Sequence, residues 1–86
     1  MPKIEIYSKG FCPYCKMAKA LFDSIGQSYE EIDLDAQPER VAEMLERSGG
    51  RTTVPEIFID DELIGGYDDL SALHSSGGLA AKLGSA

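Results

Sequence analysis

The 86-residue chain contains only two cysteines, and both lie in the stretch KGFCPYCKM, residues 9–17. Cys12 and Cys15 are separated by a proline and a tyrosine. Two thiols at this spacing can form a structural disulfide, help to bind a metal ion or act as a reactive pair. Structural zinc sites usually have four Cys or His ligands. Because the chain adds only His74 to its two cysteines, its composition disfavours structural zinc.

The expected compartment disfavours a structural disulfide. The N-terminal residues MPKIEIYSKG lack the apolar run of a secretory signal, so we expect a cytoplasmic protein. Structural disulfides are rare in the cytosol. No stretch approaches the roughly 18 consecutive apolar residues of a membrane span, and we expect no membrane partner. A formal charge of -7 likewise argues against nucleic acid, which binds to basic surfaces.

The charge is unevenly distributed along the chain. Residues 1–19 carry four lysines and one glutamate, a net +3, whereas the other 67 residues carry four basic and fourteen acidic side chains, a net -10. The distribution can reflect chance and a solvated surface. Alternatively, it places a positive field around Cys12 that favours a thiolate and anionic small substrates.

Hydrophobic periodicity and the positions of Pro and Gly predict seven main elements. Alternating or β-rich patterns predict strands over residues 3–8, 28–35, 56–60 and 62–66, the last two forming a hairpin around an acidic turn. Helices are predicted from Pro13 to Gly26, from Pro38 to Gly49 and over 68–76, with Asp68 near the N-cap of the third. Residues 79–83 add a short helical turn, and the final GSA is expected to fray.

The element order β-α-β-α-β-β-α predicts an α/β fold. Two parallel strands are joined by a right-handed crossover helix, and an antiparallel hairpin follows. We therefore expect one domain over residues 1–86, with a four-stranded mixed sheet and helices on both faces.

The predicted start of the first helix gives Cys12 a reactive environment. Its sulfur would lie beside unpaired backbone N–H groups and the positive end of the helix dipole, which favour a thiolate. Cys15 follows at i+3 on the same face, where it can attack a mixed disulfide on Cys12. We predict Cys12 as the nucleophile and Cys15 as the resolving thiol, against the alternative of two unreactive buried cysteines.

Three motifs in this order resemble a dithiol glutaredoxin of the small bacterial type, with the thioredoxin fold: CPYC at 12–15, TVP at 53–55 and GGYDD at 65–69. The resemblance covers about residues 3–83. It implies a glutathione-dependent oxidoreductase that reduces protein disulfides and protein–glutathione mixed disulfides. It also implies glutathione as co-substrate, no tightly bound cofactor or metal, a monomeric state and ribonucleotide reductase as one protein partner.

The same resemblance implies a glutathione site. Pro55 would follow a cis bond and pack against the cysteines, with the Val54 backbone free to pair with a bound peptide. Near the third helix, backbone N–H groups and a carboxylate would bind the γ-glutamyl group. The residues implied in glutathione binding are Lys9, Tyr14, Thr53, Val54, Pro55, Gly66, Asp68 and Asp69, with Arg40 as a second carboxylate partner.

Two rival functions remain open from the sequence. A redoxin reduced by thioredoxin reductase would use the same thiols, and a carrier could hold a [2Fe–2S] cluster between two chains through Cys12 and two glutathiones. Pro13 disfavours the carrier, because cluster-binding relatives resemble monothiol or less rigid motifs. His74 is interpreted as a surface or half-buried helix residue, and Met17 and Met44 as core or rim packing.

Overall fold

The computed structural model describes residues 2–84 and contains a four-stranded sheet in the order β2-β1-β3-β4. The strands are β1 (Ile4–Ser8), β2 (Glu30–Asp33), β3 (Glu56–Ile59) and β4 (Glu62–Gly65). β1 pairs in parallel with β2 and antiparallel with β3, which pairs antiparallel with β4. The predicted mixed sheet is confirmed.

Four helices cover this sheet: α1 (Pro13–Ser24), α2 (Val41–Ser48), α3 (Tyr67–Ser75) and α4 (Gly78–Lys82). Buried residues of α1, α3 and α4 pack on one face, and Met44 of α2 packs on the other. Helices on both faces were predicted, and this arrangement is that of the thioredoxin fold. None of the helices within residues 2–84 has the length and apolar character needed to cross a bilayer.

Side-chain alternation along β1 separates the two cores. Ile4 and Ile6 point to the α1 side, and Tyr7 belongs to the cluster on the α2 side. The first cluster consists of Ile4, Ile6, Ala18, Phe22, Ile57, Ile59, Leu70 and Leu79. The second consists of Tyr7, Ile32, Leu34, Met44 and Phe58. Met44 therefore packs in the core as predicted, whereas Met17 is 44% exposed.

The acidic turn of the predicted hairpin has both central residues in the left-handed region, Asp60 at φ 49° and Asp61 at φ 66°. This is the backbone pattern of a type I′ turn, which matches the twist of the flanking strands. The second strand and the second helix are shorter than predicted. β2 covers four of the eight predicted residues, and Pro38 begins a 3₁₀ turn, Pro38–Arg40, that leads into α2.

Candidate active site

Cys12 is the N-cap of α1, with extended backbone angles of φ -144° and ψ 104°. Its Sγ accepts a hydrogen bond from the Cys15 N–H at 3.2 Å. Pro13 occupies the first helical position, where its missing N–H removes no helical hydrogen bond. The sulfur therefore lies at the positive end of the helix dipole.

The two cysteines, which are not bonded to each other in the structure, differ in accessibility. Cys12 is 9% exposed and Cys15 only 1% exposed. Burial, together with contact with the Cys12 side chain, raises the pKa of the Cys15 thiol to about 12. Since the thiolate is the nucleophile, the more accessible Cys12 is suited to attack and Cys15 to a later intramolecular step.

The loop before β3 packs against this pair. The Val54–Pro55 peptide bond is cis, as the family resemblance implied, and Pro55 is buried. The Cys12 thiol donates to the Val54 carbonyl at 3.8 Å. The Val54 N–H has no hydrogen-bond partner among residues 2–84, so this backbone group is free to pair with an extended peptide.

Glu56, at the start of β3, is fully buried and organises the loop from below. Its Oε2 accepts hydrogen bonds from Thr53 Oγ1 at 2.9 Å and Arg51 Nε at 3.2 Å. Its Oε1 has no partner within the part of the chain that the structure describes. The Arg51 guanidinium also reaches Asp69 Oδ2 at 3.8 Å, and it thereby links the loop to α3.

The N-terminus of α3 forms the opposite wall of the site. Gly66 is its N-cap, and Asp68 lies in the first turn, near the N-cap as predicted. The Asp69 carboxylate accepts the Gly66 N–H at 3.0 Å. Gly65 adopts φ +115°, and a Cβ there would collide with that carboxylate. Asp68 is exposed and makes no ion pair or side-chain hydrogen bond within residues 2–84, so its carboxylate is available to a ligand.

These walls enclose an open cleft of about 230 Å³. Tyr14 and Tyr67 stack across one side, with ring centroids 6.3 Å apart. Seven of the residues implied by the family resemblance line the cleft, together with Arg51 and Tyr67: Tyr14, Thr53, Val54, Pro55, Gly66, Asp68 and Asp69. The cleft therefore combines the Val54 N–H, a helix N-terminus, the exposed Asp68 carboxylate, the Arg51 guanidinium and an adjacent thiol.

Lys9 and Arg40 lie outside the lining of the cleft. Lys9 is exposed three residues before Cys12. Arg40 pairs with Glu43 at 2.8 Å and with Glu30 at 3.9 Å. Arg51 is the arginine that lines the cleft, and the sequence reasoning missed it. The available signal was its position two residues before Thr53 in the same loop.

Candidate metal ligands do not cluster in the structure. Within residues 2–84, no group of three or more His, Cys, Asp or Glu side chains is arranged to hold a metal ion. His74 is exposed on α3 and does not line the cleft, in agreement with its interpretation as a surface residue.

Comparison with known proteins agrees with this geometry. The sequence model of the family Glutaredoxin matches residues 4–64. The chain is 54% identical over 79 residues to Glutaredoxin 3 of Escherichia coli, covering 92% of this chain and 94% of that protein. It superposes on glutaredoxin from Brucella melitensis with a TM-score of 0.80 at 48% identity, covering 96% of this chain and 89% of the other. A buckwheat glutaredoxin–glutathione complex gives a TM-score of 0.83 at 36% identity, covering 93% and 74% of the two chains.

Proposed function

Because this chain belongs to the glutaredoxin family, we propose that it is a glutathione-dependent thiol–disulfide oxidoreductase with Cys12 as nucleophile and Cys15 as resolving thiol. One observation carries the proposal. A thiol pair at a helix N-terminus opens beside a cleft that presents the Val54 N–H and the first turn of α3. The substrates are protein–glutathione mixed disulfides and protein disulfides.

Each end of glutathione has a complementary group in the cleft. The γ-glutamyl carboxylate is placed at the first turn of α3, where backbone N–H groups have no helical partner. Its ammonium group is placed at the exposed Asp68 carboxylate. The cysteinyl backbone pairs with Val54, and the glycine carboxylate lies between Arg51 and Lys9. We place Arg51 in the role that the sequence suggested for Arg40, since Arg51 lines the cleft.

With a mixed disulfide, the reaction uses Cys12 alone. The Cys12 thiolate attacks the glutathione sulfur, the new bond joins Cys12 to glutathione, and the substrate cysteine leaves as a thiolate. A second glutathione thiolate then attacks the glutathione sulfur of this intermediate. It releases glutathione disulfide and regenerates the Cys12 thiolate.

With a protein disulfide, the reaction uses both cysteines. Cys12 forms a mixed disulfide with one substrate sulfur, and the Cys15 thiolate attacks Cys12 Sγ to release the reduced protein. Two glutathiones then reduce the Cys12–Cys15 bond. A cytoplasmic location, where thiols are kept reduced, is part of this proposal.

Three proteins test the proposal in a glutathione-coupled assay: wild type, Cys12→Ser and Cys15→Ser. Cys12→Ser is expected to lose all turnover, and Cys15→Ser to keep turnover of a mixed disulfide while losing reduction of a protein disulfide. Retained activity in Cys12→Ser would contradict the mechanism. Replacing glutathione by NADPH and thioredoxin reductase tests the rival electron donor, and faster turnover with that donor would contradict the glutathione dependence.

The cleft assignment has its own test. Asp68→Asn is expected to raise the KM for glutathione about tenfold, in line with the loss of one charge-assisted hydrogen bond. The kcat should change little, because Asp68 does not contact the Cys12 sulfur. Glu39→Gln is a matched control at an exposed acid of the 3₁₀ turn. An unchanged KM in Asp68→Asn would remove Asp68 from the ammonium site.

A further inference from the structure

Large exposed apolar side chains concentrate around the reactive thiol. Among the described residues they are Phe11 (94% exposed), Tyr14 (57%), Met17 (44%) and Ile25 (40%). The first three lie within five positions of Cys12, and only Ile25 lies at the far end of α1. Tyr14 already lines the cleft and stacks on Tyr67, but Phe11 and Met17 do neither. Their exposure therefore has no explanation in the proposed glutathione site.

Unpaired positive charge concentrates at the same place. The chain has eight Lys and Arg residues, and six of them form ion pairs with carboxylates: Lys3, Lys19, Arg40, Arg47, Arg51 and Lys82. The two without an ion pair to a carboxylate of residues 2–84 are Lys9 and Lys16. Both flank the cysteine motif in a chain of formal charge -7, so their lack of a partner is not due to a shortage of acids.

Lys16 and Met17 follow Cys12 by one helical turn, and the Lys16 N–H donates to the Cys12 carbonyl at 3.2 Å. Phe11 immediately precedes Cys12. We call Phe11, Lys16 and Met17 the motif rim. None of the three lines the cleft, so a glutathionyl group seated there leaves the motif rim open. The substrate cysteine, whose sulfur is bonded to the glutathione sulfur, must then lie just outside the cleft.

We propose that the motif rim binds the protein half of the substrate and selects segments whose cysteine is flanked by an apolar and an acidic side chain. The apolar residue covers Phe11 and Met17, and the acidic residue pairs with Lys16. The inference rests on the proposed function, since it names the partner of that same reaction. The contacts are exposed, so they favour matching substrates without excluding others.

Two glutathionylated heptapeptides test this selectivity. They share one central glutathionylated cysteine and differ only in its neighbours, Leu and Asp in one and Ser and Lys in the other. Wild type is expected to turn over the Leu/Asp peptide with a kcat/KM about tenfold higher, since one apolar contact and one surface ion pair together are worth about 1.4 kcal/mol. Raising the salt concentration should reduce the difference.

Variants separate the two contacts. Lys16→Glu is expected to reduce the preference for the Leu/Asp peptide by removing the ion pair with Asp, and Phe11→Ser by removing the apolar contact with Leu. Lys3→Glu is the matched control, since it changes the net charge equally at the opposite end of β1. If Lys3→Glu reduced the preference as much as Lys16→Glu, net charge rather than the motif rim would explain it, and the proposal would be overturned.

The cysteine–glutathione mixed disulfide distinguishes this inference from the function on which it rests. This small substrate has no flanking residues, so wild type and all three variants should reduce it at similar rates. Equal kcat/KM values for the two peptides, with normal turnover of the small disulfide, would overturn the proposed role of the motif rim and leave the proposed function intact. Loss of turnover of the small disulfide by wild type would overturn the proposed function and the inference together.

Discussion

The two faces of the sheet are stabilised by different interactions. On the side of α1, α3 and α4, the core is built from aliphatic side chains and Phe22. On the α2 side, the Arg47 guanidinium lies 4.1 Å from the Phe58 ring centroid and binds Glu5 at 2.9 Å and the Tyr7 hydroxyl at 2.8 Å. Asp61 adds a further pair to Arg47 at 3.2 Å. One face therefore relies on apolar packing and the other on directed charge pairing as well.

This difference matters for the site because α1 and α3 carry the thiols and the helix N-terminus. Their positions depend on apolar packing, which is non-directional and does not require paired charges. Along β3, Ile57 and Ile59 point to the apolar face, and Glu56 points to the α2 face. The Glu56 carboxylate binds Arg51 and Thr53 and so connects the α2 face to the site. Changes on the first face should therefore affect stability, and changes at Glu56 should affect binding.

The largest effect is expected from the apolar face. Phe22→Ala should lower the free energy of unfolding by about 3–5 kcal/mol, because it removes a fully buried aromatic ring and leaves a cavity. Urea unfolding measures this loss. Ile25→Ala, at the exposed end of the same helix, is the control and should change stability by about 0.5 kcal/mol or less. Equal losses in the two variants would contradict the assignment of this core.

On the α2 face, Arg47→Met should lower the free energy of unfolding by about 2–3 kcal/mol. Glu5 is 5% exposed, and without Arg47 its buried carboxylate loses its closest partner, while the partial exposure of Arg47 moderates the loss. The double variant Arg47→Met/Glu5→Gln should recover much of the stability, since no buried charge is left without its partner. If the double variant were as unstable as the sum of both single variants, pairing would not be the cause.

Burial on the α1 side gives a pH dependence to the step that uses Cys15. The pKa of this thiol is raised to about 12, so its thiolate fraction increases about tenfold per pH unit through the neutral range. In enzyme glutathionylated at Cys12, glutathione release without added thiol should accelerate by that factor between pH 7 and pH 8. Cys15→Ser should show no release, and a rate independent of pH would contradict attack by Cys15.

The smallest effect is expected at Glu56, which connects the α2 face to the site. Glu56→Gln should keep the hydrogen bond from Thr53 but remove the charge that holds Arg51. We expect the KM for glutathione to rise about fivefold, a loss of about 1 kcal/mol, with stability nearly unchanged because a buried charge is also removed. Glu62→Gln at an exposed ion pair is the control. A change in kcat with a constant KM would contradict a positioning role for Glu56.

The sequence predicted the fold well because its main signals are local. Pro13 after Cys12 marks the start of a helix, and alternation in residues 3–8 marks a strand with two distinct faces. The cis bond before Pro55 followed from family resemblance, since an X–Pro dipeptide alone does not specify the isomer.

The remaining features depend on residues that meet only in the fold. Asp68 and Asp69 look equivalent as helix-start acids, and only the geometry of Gly65 and Gly66 shows that Asp69 is engaged and Asp68 is free. Arg40 and Arg51 look equivalent as basic residues in the middle of the chain. Pairing of Arg51 with Glu56 after the cis bond brings it to the cleft, and this contact has no local sequence signature.

The engagement of Asp69 has a consequence for how a ligand binds. The Asp69 carboxylate caps α3 through the Gly66 N–H, and the absence of a Cβ at Gly65 leaves room for that carboxylate. The helix end that is proposed to receive the γ-glutamyl carboxylate is thus held by a contact within the chain itself. Little conformational entropy is then lost at this wall on binding, so the site is preorganised there and association requires no folding of α3.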